Sequence, residues 1–402
     1  MIKSKFHLIF MVFLICSCQS GNKKEITSSS NKVDDVSLQN LMEKNICRID
    51  ENGKSDTGSL TIEARMKELN IPGVSIAVFD NNEILWAKGY GLKNKKEGQK
   101  VNENTLFQAA SISKPIASVT AFMLAEQELI VLDEDVNLKL MSWQVPENKF
   151  TITEKVTPRR IMSHTSGLGT SGFQGYHRND SIPTLVQILD GSEITNSDPV
   201  RVIQTPGQSE YYSGGGMQVL QLLLEDVSGK KFSELTEELI FEPIGMRGST
   251  FNHPMSKKLN NFISNGYDSE GKVVSGGYHL YPEKAAAGLW TTPSDLAKFM
   301  IALGKSYRGE NGGILEQESA KMMMQRVPNA GGTGIGIDGK GDAFRFRHSG
   351  GNVGFICYAV SFAEKGRGVV VMTNSDNGFP LSHEIVRAIS KVYGWPAMWM
   401  RE

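Results

Sequence analysis

A segment without any charged residue, 115–125, most constrains how this chain can fold. Its residues favour a helix, and a helix that is apolar all round has to be buried on every side. The chain must therefore pack further elements around this helix. Ser111 and Lys114 stand directly before the segment, so any chemistry that they perform would start from a rigid, buried base.

The overall composition excludes several classes of function. The chain has 402 residues with 43 Lys plus Arg and 44 Asp plus Glu, a net charge of −1, and nothing in it indicates a nucleic-acid partner. The histidines include no pair at helical ligand spacing, so we expect no metal and no other cofactor. The 4 cysteines form no disulfide framework. Cys47 and Cys357 could pair or remain free buried thiols, and the sequence leaves both open.

The N-terminus has the pattern of an export signal. Basic residues precede an apolar run that is too short to span a bilayer. Residues 15–18 resemble the lipobox of bacterial lipoproteins, in which the last cysteine, here Cys18, is lipidated. We expect residues 1–18 to be a lipoprotein signal peptide and residues 19–36 a flexible tether. The body would then be an extracytoplasmic lipoprotein, anchored by lipid to a membrane on the periplasmic side or at the outer membrane. The alternative is a cleaved secretory signal with an incidental cysteine.

Two hairpin patterns lie near opposite ends of the chain. Apolar residues alternate over 74–78, a polar turn follows at 80–83, and a second strand returns over 84–90. Near the C-terminus, strand patterns over 355–362 and 368–373 form another hairpin. Hairpins at both ends predict one antiparallel sheet that is built from both parts of the chain.

The middle of the chain has a mainly helical pattern, so we expect an α+β fold. One domain would cover residues 37–395. Its α/β part, an antiparallel sheet with packed helices, would be built from about 37–110 and 285–395. A mainly helical part would occupy about 111–284 between them.

Ser111 and Lys114 form an S-x-x-K pattern, which supplies a nucleophile and an amine base without a histidine. Residues three apart lie on the same face of a helix. The pattern occurs elsewhere in the chain too, but here it opens a fully apolar helix. At a helix start, free N–H groups can stabilise an oxyanion, and burial would lower the pKa of Lys114. On this motif alone, a serine that only caps the helix stays an open alternative.

Two further segments accompany this pattern. Residues 206–214 place Tyr212 in a glycine-bounded loop before a helix, and residues 348–352 lie between strand-like segments. Together with residues 111–114 they resemble the signature motifs of the serine β-lactamase and penicillin-binding protein superfamily. The likeness is greatest to its class C β-lactamase, D,D-peptidase and esterase branch. Shorter patterns that recur there in the same order extend the resemblance over residues 37–395; they lie at 71–73, 89–91, 105–107, 132–136, 164–168, 242–246 and 287–290.

The resemblance implies a β-lactamase/transpeptidase-like fold and a role for each matching residue. It implies that Ser111 is the acylated nucleophile, Lys114 its partner amine and Tyr212 a general base. A Tyr212 phenolate would need nearby cations to depress its pKa. The oxyanion hole would consist of the backbone N–H groups of Ser111 and Gly351. The remaining substrate-binding positions would be Gly214, His348, Ser349 and Gly350.

Two positions depart from the family pattern. Gly214 stands where the second motif usually ends in an asparagine that contacts the substrate's acylamino group. His348 stands where the third motif usually begins with a lysine that helps to bind a substrate carboxylate. Because an unperturbed histidine has a pKa near 6.5, we expect its help for anionic substrates to fade between about pH 5.5 and 8. Both departures weaken the case for an efficient β-lactamase or a typical D,D-peptidase.

We therefore expect a serine hydrolase that forms an acyl-enzyme on Ser111 with a small-molecule or peptide ester, amide or lactam. It would be more esterase-like or peptidase-like than an efficient β-lactamase. One alternative is a penicillin-binding D,D-carboxypeptidase or class C-like β-lactamase. Another is a non-catalytic binding or sensor domain of the same fold, against which the retained Lys114 and Tyr212 count. His164 is expected to hold a loop by hydrogen bonding rather than to catalyse.

Overall fold

The computed structural model describes residues 29–50, 53–56, 58–253 and 255–396. Its strands are β1 Gly73–Asp80, β2 Glu83–Asn94, β3 Gln99–Lys100, β4 Phe107–Gln108, β5 Trp290–Thr291, β6 Gly336–Asp338, β7 Arg345–Asn352, β8 Phe355–Phe362 and β9 Arg367–Thr373. Its α-helices are α1 Ser29–Glu43, α2 Ile62–Glu68, α3 Ser113–Glu126, α4 Pro158–Met162, α5 Leu185–Asp190, α6 Gly214–Ser228, α7 Phe232–Thr236, α8 Lys257–Asn260, α9 Lys284–Ala287, α10 Pro293–Arg308, α11 Gln317–Met323 and α12 Gly378–Val392. Short 3₁₀ turns lie at Ala110–Ile112, Val136–Leu138 and Gly341–Ala343, and a π turn lies at Glu237–Phe241.

The main sheet joins strands from both ends of the chain. Its strand order is β3-β2-β1-β9-β8-β7-β6, and neighbouring strands are antiparallel. The two predicted hairpins are β1–β2 and β8–β9, and they meet where Val74 on β1 lies opposite Thr373 on β9. The prediction of one antiparallel sheet built from both ends is therefore confirmed.

Helices cover both faces of this sheet. Val74, Ile76 and Val78 on β1 are buried in the cluster that α12 completes. Ala77 and Phe79, which point the other way, are buried in the cluster on the side of α10. This alternation follows from the two-residue period of a strand. The predicted α+β fold, a sheet sandwiched by helices with a mainly helical part beside it, is confirmed.

Helix α3 is buried on all sides, as the uncharged segment predicts. All of its residues from Ser113 to Phe122 are buried, and α4, α6, α7 and α9 pack against it. The hydroxyl of Thr120 donates a hydrogen bond to the Ile116 carbonyl at 2.9 Å, so this polar side chain is satisfied inside the helix. The helix thus provides a fixed base for the residues that precede it.

The structure differs from the tether prediction at its C-terminal end. Helix α1 begins at Ser29, so residues 29–36 are helical rather than part of a flexible tether. The helix continues to Glu43 and packs against α12, with Met42 fully buried, and this packing supports a longer helix than the polar sequence suggests. The predicted signal peptide and Cys18 lie outside the described residues.

The two cysteines in the described residues do not pair. Cys357 is buried in β8, where its thiol donates to the Ala109 carbonyl, with 2.8 Å between Sγ and the oxygen. Cys47 is partly buried and free. Of the two alternatives left open by the sequence, the structure shows free thiols. Within the described residues, no helix is long and apolar enough to cross a membrane.

Candidate active site

Ser111 lies on a 3₁₀ turn, Ala110–Ile112, that runs directly into α3. Ala110 has a φ of +49°, which is uncommon for a residue with a side chain. The hydroxyl of Ser113 holds the turn by donating to the Ala110 carbonyl at 2.6 Å and accepting from the Leu289 N–H at 3.0 Å. Ser111 is therefore displayed on a constrained turn rather than in the first regular turn of α3.

Lys114 reaches back from α3 to the Ser111 hydroxyl. Its Nζ donates to Ser111 Oγ at 3.0 Å and to the carbonyl of Ala286 in α9 at 2.9 Å. The side chain is only 3% exposed. Burial lowers the pKa of Lys114, while the neighbouring Tyr212 opposes part of that effect. The predicted lowering is confirmed, and a neutral Lys114 could accept the Ser111 proton.

Tyr212 faces the same point from the loop before α6. Lys114 Nζ lies 4.8 Å from the centroid of the Tyr212 ring, and Tyr212 is 38% exposed. The ring of His164 packs against that of Tyr212, with 4.5 Å between centroids. A residue between the buried amine and open solvent is well placed to pass a proton between them.

His164 is a partly buried, neutral contact of this loop. Its Nδ1 accepts a hydrogen bond from the Ser213 N–H at 3.2 Å, so the ring proton is on Nε2. Burial and the charge of Lys114 lower the pKa of His164 to about 3. The hydrogen bond is of the loop-holding kind that the sequence analysis expected.

Strand β7 forms the opposite wall of the site with His348, Ser349, Gly350 and Gly351. A Cβ atom on Gly350 would lie 2.2 Å from the Ala109 carbonyl oxygen and 2.9 Å from the Ser111 nitrogen. Only a glycine lets the strand pass this close to the turn that carries the nucleophile. Gly351 follows and is exposed, and its assignment to the oxyanion hole stays a prediction.

His348 does not provide the positive charge that the sequence analysis expected. Its Nδ1 is 2.7 Å from the Ser349 carbonyl oxygen, which can only accept, so Nδ1 carries the proton. Burial, followed by the charges of Lys114 and Arg347, lowers the pKa of His348 to about 3. With this pKa the ring is neutral throughout pH 5.5–8, which does not support the expected fading over that range. The ordinary histidine pKa of 6.5 does not apply, because burial removes water from the ring and because Lys114 and Arg347 lie nearby.

Gly214 does not face the cleft as predicted. Its N–H donates to the Ser171 carbonyl at 3.0 Å, and a Cβ atom there would lie 2.9 Å from the ring of Phe173. Gly214 is the buried first residue of α6. Its assignment to substrate binding is corrected, because Phe173 and the Ser171 backbone occupy the space beside it.

One cleft of about 360 Å³ brings the other predicted residues together. Lys114 lies beneath it, and the predicted residues that line it are Ser111, Tyr212, His348, Ser349, Gly350 and Gly351. Sequence reasoning missed two charged residues in the lining, Glu210 and Arg347, and a glycine-rich wall within 331–336. Glu210 precedes Tyr212 by only two residues, and this nearness in sequence was the one signal that could have indicated it.

Comparison with known proteins agrees with this architecture. The family model described as Beta-lactamase matches residues 60–392. Protein flp of Staphylococcus aureus (strain N315) is 24% identical over 336 residues, 79% of this chain and 62% of the relative. Esterase EstB of Burkholderia gladioli is 27% identical over 195 residues, 46% of this chain and 48% of the relative. The chain thus spans about 62% of the length of the staphylococcal relatives.

Solved structures share the fold. The octameric penicillin-binding protein homologue from Pyrococcus abyssi superposes with a TM-score of 0.67 at 24% identity, covering 83% of this chain and 76% of the other. The D-amino acid amidase from Ochrobactrum anthropi SV3, complexed with L-phenylalanine amide, gives a TM-score of 0.68 at 20% identity. It covers 89% of this chain and 99% of the other. At these identities the likeness shows a common fold.

Proposed function

Since this chain belongs to the beta-lactamase family, we propose that it is a serine hydrolase in which Ser111 forms an acyl-enzyme with ester or amide substrates. One observation carries the proposal: the buried Lys114 amine is hydrogen-bonded to Ser111 Oγ at 3.0 Å at the floor of an open cleft. A nucleophile and a base with a lowered pKa in contact are the minimum that acyl transfer needs.

Each of these residues has its own role in the proposed reaction. Lys114, assisted by Tyr212, takes the Ser111 proton while Oγ attacks the acyl carbon. The N–H groups of Ser111 and Gly351 stabilise the oxyanion that forms. The bond to the leaving alcohol or amine breaks as that group receives a proton. Water then hydrolyses the acyl-enzyme and restores the serine.

Esters and open-chain amides fit the cleft better than β-lactams. The neutral His348 provides no positive charge for the carboxylate of a β-lactam. The buried Gly214 has no side-chain amide that could contact the acylamino group of a β-lactam. EstB among the relatives gives an esterase further support. A penicillin-binding D,D-carboxypeptidase or a β-lactamase is the second candidate. Arg347 favours it, because its guanidinium lies in the cleft lining.

Intact-mass analysis tests the proposal and separates these candidates. The protein would be exposed to a fluorophosphonate, benzylpenicillin and 4-nitrophenyl acetate, with Ser111→Ala and the exposed-serine variant Ser181→Ala as matched controls. We expect one phosphonyl adduct and rapid ester turnover, both lost in Ser111→Ala only. A long-lived penicilloyl adduct would favour a penicillin-binding protein. Labelling without any turnover would favour the alternative of a non-catalytic binding or sensor domain. The absence of labelling would refute a serine hydrolase.

We also propose that Cys18 carries a lipid that anchors the protein to a membrane outside the cytoplasm. The lipobox-like residues 15–18 support this proposal. The protein should fractionate with membranes, and Cys18→Ser should release it or leave the precursor unprocessed. A mature N-terminus at another residue, with no acyl mass, would exclude lipidation.

A further inference from the structure

The cleft has an unusual balance of charge. Among the described residues that line it, only Glu210 and Arg347 are charged. The Nε–H of Arg347 donates to the carboxylate of Asp338, so the positive charge already has a partner. Within the described residues, Glu210 makes no hydrogen bond or ion pair and its side chain is exposed. The cleft therefore offers a free carboxylate and a guanidinium that is paired.

The backbone around Glu210 is held in place. On one side, the Tyr211 N–H donates to the His164 carbonyl at 2.7 Å. On the other, the side chain of Gln204 donates to the Ser209 carbonyl at 2.9 Å. Glu210 and Tyr212, two residues apart, both line the cleft. The carboxylate is thus presented from an ordered segment beside the catalytic tyrosine, which reduces the entropy that binding would cost.

His348, on the opposite wall of the cleft, adds a hydrogen-bond acceptor and no positive charge. Because the Nδ1–H of His348 donates to the Ser349 carbonyl, the unprotonated Nε2 of the neutral ring can only accept. An acceptor and a free carboxylate in one cleft are complementary to a group with several N–H donors and a positive charge. An ammonium group has both properties, whereas a carboxylate has neither.

From this arrangement we propose that the cleft selects acyl substrates that carry an ammonium group, such as amino-acid esters and amides, and that Glu210 is the residue that recognises this group. The inference rests on the proposed acyl transfer by Ser111 and adds the substrate class. Glu210 is a specificity-determining residue here and takes no part in proton transfer.

Three methyl esters of nearly equal size test this charge preference. Methyl 3-aminopropanoate carries an ammonium group, methyl butanoate is neutral and monomethyl succinate is a carboxylate. For each ester, kcat/KM at pH 7 would be divided by its rate constant for hydrolysis by hydroxide, which removes differences in intrinsic reactivity. We expect the corrected value for the ammonium ester to exceed that for the carboxylate ester by about tenfold or more, and added salt to reduce the ratio.

Variants assign the preference to Glu210. Glu210→Gln should lower the ratio of ammonium to carboxylate ester by about tenfold, while Glu193→Gln, an exposed glutamate outside the cleft lining, should leave the ratio unchanged. Equal corrected rates for the three esters, or a preference for succinate through Arg347, would overturn the inference but not the hydrolase. A wild-type ratio that Glu210→Gln leaves intact would also overturn it. Loss of both fluorophosphonate labelling and ester turnover would instead refute the proposed function.

Discussion

At the scale of single residues, the proposed chemistry depends on which group holds the proton of Ser111. Lys114 is desolvated on all sides and has two acceptors, Ser111 Oγ and the Ala286 carbonyl. Desolvation favours the neutral amine, and its lone pair is then directed to the serine proton. Tyr212, partly exposed, completes a path from the buried amine to the cleft. The two residues therefore have different tasks, which mutation can separate.

Lys114→Ala should slow acylation by several orders of magnitude, because the base in contact with Ser111 is lost. Tyr212→Phe retains the ring that packs on His164 and should cost a factor of about 10² to 10⁴. In the wild type, acylation should rise with pH as Lys114 loses its proton, with a midpoint below the ordinary lysine value. Stopped-flow measurement of the acylation burst tests all three. Unchanged kinetics in Tyr212→Phe would leave this residue only a packing role.

The neutral His348 leads to a prediction about substrate charge and pH. The ratio of kcat/KM for monomethyl succinate to that for methyl butanoate should stay flat between about pH 5.5 and 8, because the pKa of His348 is about 3. His348→Gln, which is neutral at all pH values, should give a parallel profile. A fall in the wild-type ratio over this range that disappears in His348→Gln would show that the ring is protonated.

At the scale of elements, the site depends on the contact between β7 and the 3₁₀ turn of Ser111. A Cβ atom on Gly350 would collide with two backbone atoms, the Ala109 carbonyl oxygen and the Ser111 nitrogen. Backbone cannot move aside as the end of a flexible side chain can. A Cβ atom on Gly351, one residue further, would meet two side chains, the terminal methyl of Ile356 at 3.1 Å and the ring of Phe379 at 3.9 Å. Neighbouring glycines on one strand therefore have different tolerances.

Gly350→Ala should displace β7 from the turn and reduce kcat/KM by at least about a hundredfold, since small displacements in an oxyanion site are costly. Gly351→Ala should keep its N–H group and lose less than about tenfold. Ester hydrolysis and fluorophosphonate labelling of both variants, with circular dichroism to verify folding, provide the measurement. Equal activity of the two variants would contradict this view of the contact.

The elements themselves could be predicted from sequence because their signals are local. The hairpins β1–β2 and β8–β9 followed from alternation, and α3 from its lack of charge. The lining of the cleft could not be predicted in this way. The glycine-rich wall within 331–336 leads into β6, which pairs with β7 so that Gly336 lies opposite Arg347. The burial of Gly214 depends on Phe173, which is distant in sequence and carries no motif.

The protonation state of the site could also not be predicted from the sequence. His348 was recognised as a departure from the family pattern, but its pKa depends on desolvation and on Lys114, whose proximity is a property of the fold. Residue identity was therefore enough to propose an acyl-transfer site. The charge that the site offers to a substrate required the three-dimensional structure.

At the scale of the whole molecule, three distant parts of the chain supply the site. The turn of Ser111 leads into α3, Tyr212 precedes α6, and His348 comes from β7 near the C-terminus. Helix α9 connects them, since its Ala286 carbonyl holds Lys114 and its Ala287 carbonyl accepts from Asn352 of β7 at 3.1 Å. The packing of α9 therefore helps to fix the positions of Lys114 and β7.

Glu283, which directly precedes α9, should make the stability of the whole protein depend on pH. Its side chain is fully buried, and neither carboxyl oxygen has a hydrogen-bond partner within the described residues. Burial raises the pKa of Glu283 from 4.5 to about 8. The folded state therefore keeps a proton that the unfolded state loses above about pH 4.5. This contribution to stability is complete below that pH and is lost as the pH rises towards 8.

The expected slope is a fall in the free energy of unfolding of about 1.4 kcal/mol per pH unit in this window, a few kcal/mol in total. Glu283→Gln has a similar shape but no proton to lose, so its stability should fall less with pH. The variant should be close to wild type at pH 4.5 and more stable than wild type at pH 8. Urea denaturation from pH 4.5 to 8 measures this difference, with the exposed Glu193→Gln as a control that should follow the wild type. If the free energy of unfolding depended on pH in the same way for wild type and Glu283→Gln, Glu283 would not hold a buried proton. Its carboxylate would then have a partner in the folded protein.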